Sequence, residues 1–145
     1  MRLKPAIFLG LLSLAINLGH AAEDAPSEPA KNFILPTFTR EGYYSMRLSG
    51  SEARMLTLHL VQLDNMTLTI FSGDASNRVD SVLLSPLARV SFDTDIARGP
   101  GMIRLVRDDL ELTGEQWTYN HAQKSISIAR NVRVVFHSKL KDLLK

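Results

Sequence analysis

Apolar and polar residues alternate along most of the chain between Phe33 and Phe136. The clearest runs are YSMRLS, NMTLTIF, QWTYN, SISIA and VRVVF, and the shorter TLHL continues the pattern through Leu58 and Leu60. Successive side chains of a β-strand point to opposite faces, so these runs predict strands with one apolar and one polar face. Threonines at the polar positions favour the same interpretation, since β-branched residues fit a half-exposed sheet.

Short polar clusters interrupt these runs and predict turns, because Gly, Asn, Asp and Ser accept turn conformations or cap their own backbone. Pro86 is expected at an edge or a bulge, and the segment around it is compatible with a short strand or a helical turn. Gly114 indicates a bulge or bend. The predicted turns lie at residues 63–65, 72–77, 92–95, 98–101, 120–124 and 130–131.

Strands joined by short turns, each with one apolar face, predict an all-β sheet that folds over on itself as a sandwich, jelly roll or barrel. A weak internal duplication fits stacked hairpins. LSGSEA resembles LTGEQW, and each is followed by an asparagine and an alternating strand, NMTLTIF in one case and NVRVVF in the other.

The two ends of the chain differ from this body. Residues 1–21 combine Arg2 and Lys4 with an apolar stretch and small residues before a cleavage point, which predicts a secretory signal peptide or, if it is retained, a membrane anchor. Residues 22–32 contain two prolines and no periodicity, which predicts a flexible linker. The β-domain is expected over residues 33–138. Residues 139–145 form a tail, and SKLKDLLK is the one segment with a helical pattern.

Charge and cysteine content narrow the function classes. The chain has 17 basic and 15 acidic residues, so loss of Arg2 and Lys4 with the signal leaves 15 of each and no net charge. A nucleic-acid partner is therefore not expected. The chain has no cysteine, so an exported domain depends on core burial without disulfides, which favours the bacterial periplasm.

Nothing in the sequence indicates catalysis, a metal or another cofactor. The histidines have no paired-ligand spacing, and no nucleophile motif or glycine-rich phosphate loop is present. Asp93 and Asp95 lie where a turn is expected, which explains them as caps. An acidic patch contains Asp108, Asp109, Glu111 and Glu115, and a basic C-terminal region contains Lys124, Arg130, Arg133, Lys139, Lys141 and Lys145. Both are expected to be solvated faces, and a phosphate or partner site is the alternative.

The stretch LTGEQWTYNHAQKSISIARNVRVVF resembles the hairpins of the OstA-like β-jelly-roll family of lipopolysaccharide export, which includes the periplasmic proteins LptC and LptA. Family hairpins have an apolar-x-Gly start, an aromatic-x-Tyr-Asn motif, alternating isoleucines and an Asn-Val-x-Val end. The resemblance covers residues 43–136. The N-terminus has the features of a cleavable signal peptide, and in this it differs from LptC. An LptC-like role and an LptA-like role therefore both stay open.

The resemblance implies a non-enzymatic protein whose concave, apolar groove holds lipopolysaccharide acyl chains. It also implies edge-strand pairing with a neighbouring LptA-like jelly roll through Val132, Arg133, Val134, Val135 and Phe136, and a first strand at residues 43–48 that faces the inner-membrane transporter. The alternative is a periplasmic binding or scaffold module with a filled core. The groove candidates are Leu68, Ile70, Leu110, Leu112, Trp117, Tyr119, Ile126, Ile128, Val132, Val134 and Phe136.

Overall fold

The computed structural model describes residues 28–137, and this part of the chain forms one seven-stranded antiparallel sheet. The predicted signal, most of the predicted linker and the predicted tail lie outside the described residues. The strands are β1 (Ala30–Phe38), β2 (Tyr44–Met55), β3 (Leu60–Phe71), β4 (Val79–Ser91), β5 (Ile96–Val106), β6 (Leu110–Asn120) and β7 (Ser125–Phe136).

The strand order in the sheet is the order along the chain, so every neighbouring pair is a hairpin and β1 and β7 are the two edges. The all-β, folded-over antiparallel fold expected from the sequence is confirmed: the sheet is open and curled, and its shape is like that of a β-jelly roll. Over residues 28–137 there is no helix that is long and apolar enough to span a membrane.

The ladder is interrupted at the same level in every strand, and we name this line the crease. Asn32, Asn65 and Asn131 have φ angles between 51° and 53° at this level. Pairing registers shift or lapse around Pro86 and Gly114 as well. A bulge bends a strand and increases its local twist, so a row of them bends the whole sheet. The crease consists of Asn32, Ser51, Asn65, Pro86, residues 99–101, residues 114–116 and Asn131.

The sheet doubles back at the crease, which divides each strand between two layers. Leu105 pairs with Leu112, and Tyr119 lies seven residues further along β6, about 23 Å away in a straight strand. Leu105 and Tyr119 nevertheless line the same cavity. We call residues 30–31, 52–55, 60–64, 87–91, 96–98, 117–120 and 125–130 layer A, and residues 33–38, 44–49, 66–71, 79–85, 102–106, 110–113 and 132–136 layer B.

The core fills the space between the layers over β2 to β6. Leu63 from layer A and Leu48 and Leu68 from layer B are almost completely buried, and Trp117 closes the core beside the crease. Full burial of such side chains contributes about 1.5–3 kcal/mol each. With no disulfide available, this packing holds the layers together. The buried apolar side chains are Leu48, Ala53, Val61, Leu63, Met66, Leu68, Ile70, Leu83, Ala88, Val90, Ala97, Ile103, Trp117 and Tyr119.

Several predicted element boundaries are wrong. The sheet begins at Ala30, inside the predicted linker, because Ala30 and Lys31 pair with β2. β1 is therefore the N-terminal edge strand. Residues 43–48, predicted as the first strand, instead lie at the start of β2, which is an internal strand. The predicted strand through Leu58 is a turn, in which the Thr57 hydroxyl accepts hydrogen bonds from the backbone amides of His59 and Leu60.

The predicted turns fall into two groups. Residues 72–77, 92–95 and 120–124 form or adjoin turns that end strands, as expected. The clusters at residues 63–65, 98–101 and 130–131 instead lie inside β3, β5 and β7, at the crease. Pro86 and Gly114 are at bulges, as predicted, and the ambiguous segment around Pro86 is the longest strand, β4.

The two similar sequence segments adopt the same local geometry. The side-chain amide of Asn65 donates to the Ser51 hydroxyl at 3.0 Å, and that of Asn131 donates to the Glu115 carboxylate at 3.0 Å. In each hairpin the acceptor follows a glycine, Gly50 or Gly114, in the preceding strand. The repeated sequence feature thus supplies equivalent bends in two hairpins of the crease.

Replacement of Gly99 by alanine is expected to destabilise the protein by about 1–3 kcal/mol, the usual cost of overpacking. A Cβ atom there would lie 2.6 Å from the Leu87 carbonyl oxygen and 2.6 Å from Trp117 Nε1. Gly101→Ala is the matched control, because a Cβ atom at Gly101 meets nothing within 4 Å. Urea unfolding measures both, and equal midpoints for the two variants would contradict this account of the crease.

Candidate functional site

All eleven groove candidates lie on the concave face of the curled sheet. Residues directly opposite each other on paired antiparallel strands point to the same face. Trp117 lies opposite Ile128 and Tyr119 opposite Ile126. A second row runs across layer B: Leu68 pairs with Leu83, Leu83 with Leu105, Leu105 with Leu112 and Leu112 with Val134. Leu110 pairs with Phe136, while Ile70 and Val132 follow by alternation along their strands.

The concave face changes character from the centre of the sheet to the β7 edge. Leu68, Ile70, Trp117 and Tyr119 are buried members of the core. Near the edge, Leu110, Leu112, Ile126 and Ile128 are half-buried. Val132, Val134 and Phe136 are exposed, Phe136 to 65%. The layers therefore pack together at the centre and leave an apolar surface uncovered along β6 and β7.

The proposed partner edge, residues 132–136, is the C-terminal part of the edge strand β7, and every one of its side chains is exposed. Arg133 and Val135 point to the convex face, since they lie opposite Thr113 and Glu111 and alternate with Val134. An edge strand presents unpaired backbone groups to a further strand. Among the described strands, β1 is the other edge.

A cavity of about 480 Å³ lies between the layers, on the side opposite the crease. Such a volume is within the range of about 300–1,000 Å³ that is usual for small-molecule sites. Its apolar wall combines Leu83 and Leu105 of layer B with Tyr119 and Ile126 of layer A. We call the opening of this cavity, which is bordered by the turns after β3, β5 and β6, the mouth. The charged residues that line it are Asp74, Arg78, Asp80, Arg107 and Lys124.

Burial at or beside the mouth shifts the pKa values of three ionisable groups. Burial raises the pKa of the Tyr119 hydroxyl to about 12, with a smaller contribution from the Asp80 charge. Burial also lowers the pKa of His121, assisted by the neighbouring Lys124, and lowers the pKa of Lys124 itself, which Asp80 partly opposes. The Tyr119 hydroxyl lies 3.1 Å from His121 Nδ1. His121 can accept this hydrogen bond only when Nδ1 carries no proton, which fits the lowered pKa of its imidazole.

Trp117 depends on a polar anchor beside the crease. Its Nε1–H donates to the Ser85 hydroxyl at 3.3 Å, and that hydroxyl lies 2.7 Å from the Met102 carbonyl oxygen, to which it donates. Buried indole N–H groups need such a partner. Because Gly99 has no side chain, the indole can cross β5 to reach Ser85 on β4. Sequence reasoning read RGPG as a turn and missed this role of Gly99.

The polar groups considered in the sequence stay apart from this site or make local contacts. His59 lies in a turn and His137 directly follows β7. Asp93 accepts a hydrogen bond from Ser91 beside its turn, which holds its pKa below the usual value. Within residues 28–137, no group of three or more His, Cys, Asp or Glu residues is arranged to hold a metal ion.

Three members of the acidic patch contact basic or amide side chains. Glu111 accepts from Arg104 Nε at 2.6 Å, and this contact holds the pKa of Glu111 below its usual value. Asp109 lies 3.4 Å from Arg107 Nε. Glu115 accepts from Asn131 at the crease. These contacts are largely exposed and contribute little to stability on their own.

Sequence reasoning missed the charged residues of the mouth. Arg78, Asp80 and Arg107 lie at strand ends that are far apart in the chain, and only the doubling back of the sheet brings them to Lys124. In the sequence these residues stand out only as charged side chains beside turn residues. That arrangement is too common to single them out.

No model of a known protein family matches the chain. No curated protein matches it either. The geometry of the concave face, together with the sequence resemblance, is therefore the basis for a functional proposal.

The pKa shift of His121 predicts a pH dependence of stability. The unfolded chain binds a proton near the ordinary value of 6.5, whereas the folded protein resists protonation until lower pH. Stability is therefore greatest above pH 6.5 and decreases as the pH falls through the lowered pKa. His121→Gln should remove this part of the loss. Urea unfolding between pH 7 and pH 5 checks it, and equal slopes for both proteins would contradict it.

Proposed function

We propose that the protein is a periplasmic component of lipopolysaccharide export. In this role it holds acyl chains against the concave face of its curled sheet and passes them to a neighbouring jelly roll. The observation that supports this most strongly is the apolar concave face that continues out of the filled core to the β7 edge. Half-buried Leu112 and Ile128 connect the core to exposed Val134 and Phe136 there.

A lipid-transfer role fits the energetics of that edge. Exposed Val132, Val134 and Phe136 lie side by side on one face, and large contiguous apolar patches on a protein surface mark interaction sites. Burial of each acyl methylene group contributes about 0.8 kcal/mol. A chain lying along β6 and β7 would therefore cover the patch and be held without any polar recognition.

Edge-to-edge docking would extend the same surface into a partner. A strand added at residues 132–136 by main-chain hydrogen bonds would continue both the sheet and its concave apolar face. We propose an LptA-like jelly roll as the partner at this edge and an inner-membrane transporter complex at the opposite one. That opposite edge is β1, with Ile34 and Phe38 exposed.

The second candidate is a periplasmic binding or scaffold module that carries no lipid. The filled centre of the sheet favours it: Leu68 is 2% exposed and Trp117 is 1% exposed, so neither can contact a ligand without rearrangement. On this alternative, the uncovered apolar surface at β7 would be a protein interface alone.

Photo-reactive amino acids at Leu112, Ile128 and Val134 are expected to capture lipopolysaccharide in cells of a bacterium that produces it. These side chains share the concave face at the uncovered end of the sheet. Adducts are detected on denaturing gels by antibody against lipopolysaccharide.

Val135 is the matched control for Val134. Both are 40% exposed and adjacent in β7, but they point to opposite faces. Adducts at Val134 without adducts at Val135 support the lipid groove. The absence of adducts at all three concave positions, or equal capture at Val135, would overturn it and favour the scaffold alternative.

A further inference from the structure

The mouth of the cavity has cations on both layers. Arg78 belongs to the turn that leads into β4 in layer B, and Lys124 belongs to the turn that precedes β7 in layer A. Both line the cavity, whose apolar part includes Leu83, Leu105 and Ile126. An apolar wall with two cations on opposite sides of its opening matches a ligand that has an alkyl chain and a negatively charged end.

The acidic groups that line the mouth form no close ion pair with these two cations, although the charge of Arg78 helps to lower the pKa of Asp74. The Asp74 carboxylate accepts hydrogen bonds from the Ser72 and Ser76 hydroxyls and from the Ser76 backbone amide. Arg107 lies 3.4 Å from Asp109 and is thereby engaged. Within residues 28–137, neither Arg78 nor Lys124 has a carboxylate within 4.0 Å. Asp80 is the remaining acidic group that lines the opening.

Lys124 is also partly removed from water. Burial lowers the pKa of its ammonium group, and Asp80 offsets this effect only in part. Its Nζ lies 3.4 Å from both ring nitrogens of His121. A partly dehydrated ammonium without a close carboxylate gains more from a ligand anion than a fully solvated lysine does.

We infer that the mouth holds the anionic headgroup of an amphiphile between Arg78 and Lys124, with its alkyl chain against the apolar wall inside. The headgroup is a phosphate or carboxylate, whose oxygens accept charge-assisted hydrogen bonds from both cations. The inference rests on the proposed lipid-holding function and adds a polar end to it. An anion in this position joins turns of the two layers and competes with Asp80 for Lys124.

Isothermal titration calorimetry with dodecyl phosphate and dodecyl maltoside, each below its micelle-forming concentration, tests the inference. The double variant Arg78→Gln/Lys124→Gln is expected to bind dodecyl phosphate about five- to tenfold more weakly and to bind the maltoside unchanged, as expected for partly exposed ion pairs. Asp80→Asn should bind dodecyl phosphate more tightly, because it removes the competing carboxylate.

The control variant Arg54→Gln/Arg98→Gln removes the same charge from exposed positions of β2 and β5 that do not line the cavity. It should bind dodecyl phosphate as the unmodified protein does. Inorganic phosphate alone should show no measurable binding, since it lacks the chain.

The outcomes separate the two proposals. Equal affinity of the unmodified protein for both detergents, unchanged by Arg78→Gln/Lys124→Gln, would overturn the headgroup site and leave the lipid groove standing. An equal loss in the control variant would also overturn it, because the effect would then be one of net charge. Binding of neither detergent would overturn the headgroup site together with this cavity as a lipid site, and the photo-crosslinks at β7 would then decide the proposed function independently.

Discussion

The structure depends on the interruption of backbone pairing at one level of all seven strands. In a regular antiparallel ladder the backbone groups of neighbouring strands pair without interruption, and the sheet does not bend sharply. Bulges, in contrast, bend and twist the strands that contain them. The crease aligns such bulges from Asn32 on β1 to Asn131 on β7. Because all the strands bend along the same line, the sheet doubles back as a unit and its apolar face becomes an interior.

The crease also determines which parts of that interior are filled with side chains. Beside it, Gly99 makes room for the Trp117 indole, which reaches Ser85 across β5. Opposite it, the layers separate at their turns and leave the cavity with its charged mouth. Along β6 and β7 the layers part again and expose Val134 and Phe136. One sheet thus provides a filled centre next to uncovered apolar surface, and the proposed lipid-holding role rests on this combination.

The sequence predicted the strands and their concave face well because both follow from the period of two. Trp117, Tyr119, Ile126 and Ile128 were correctly placed together, since one short turn joins their strands. The crease was misread because asparagine and glycine signal positive φ or close approach without distinguishing a turn from a bulge.

The N-terminal edge was harder to predict for a different reason. Lys31 and Asn32 have linker-like composition, yet β2 supplies pairing partners on both sides of the crease, and tertiary contact outweighs local preference there. The mouth could not be predicted from the sequence. Arg78 and Lys124 line the same opening only because the two layers close over one another, and no local sequence pattern encodes that arrangement.

The most direct measurement of the central claim is an NMR spectrum of the methyl-labelled protein with bound lipopolysaccharide. The account predicts intermolecular nuclear Overhauser effects from acyl-chain protons to the methyl groups of Leu105, Ile126 and Val134, all on the concave face. It predicts none to Val82 or Val135, which alternate with concave residues along their strands. Contacts to Val82 and Val135 in place of the concave methyl groups, or no acyl-chain contacts under saturating lipid, would contradict it.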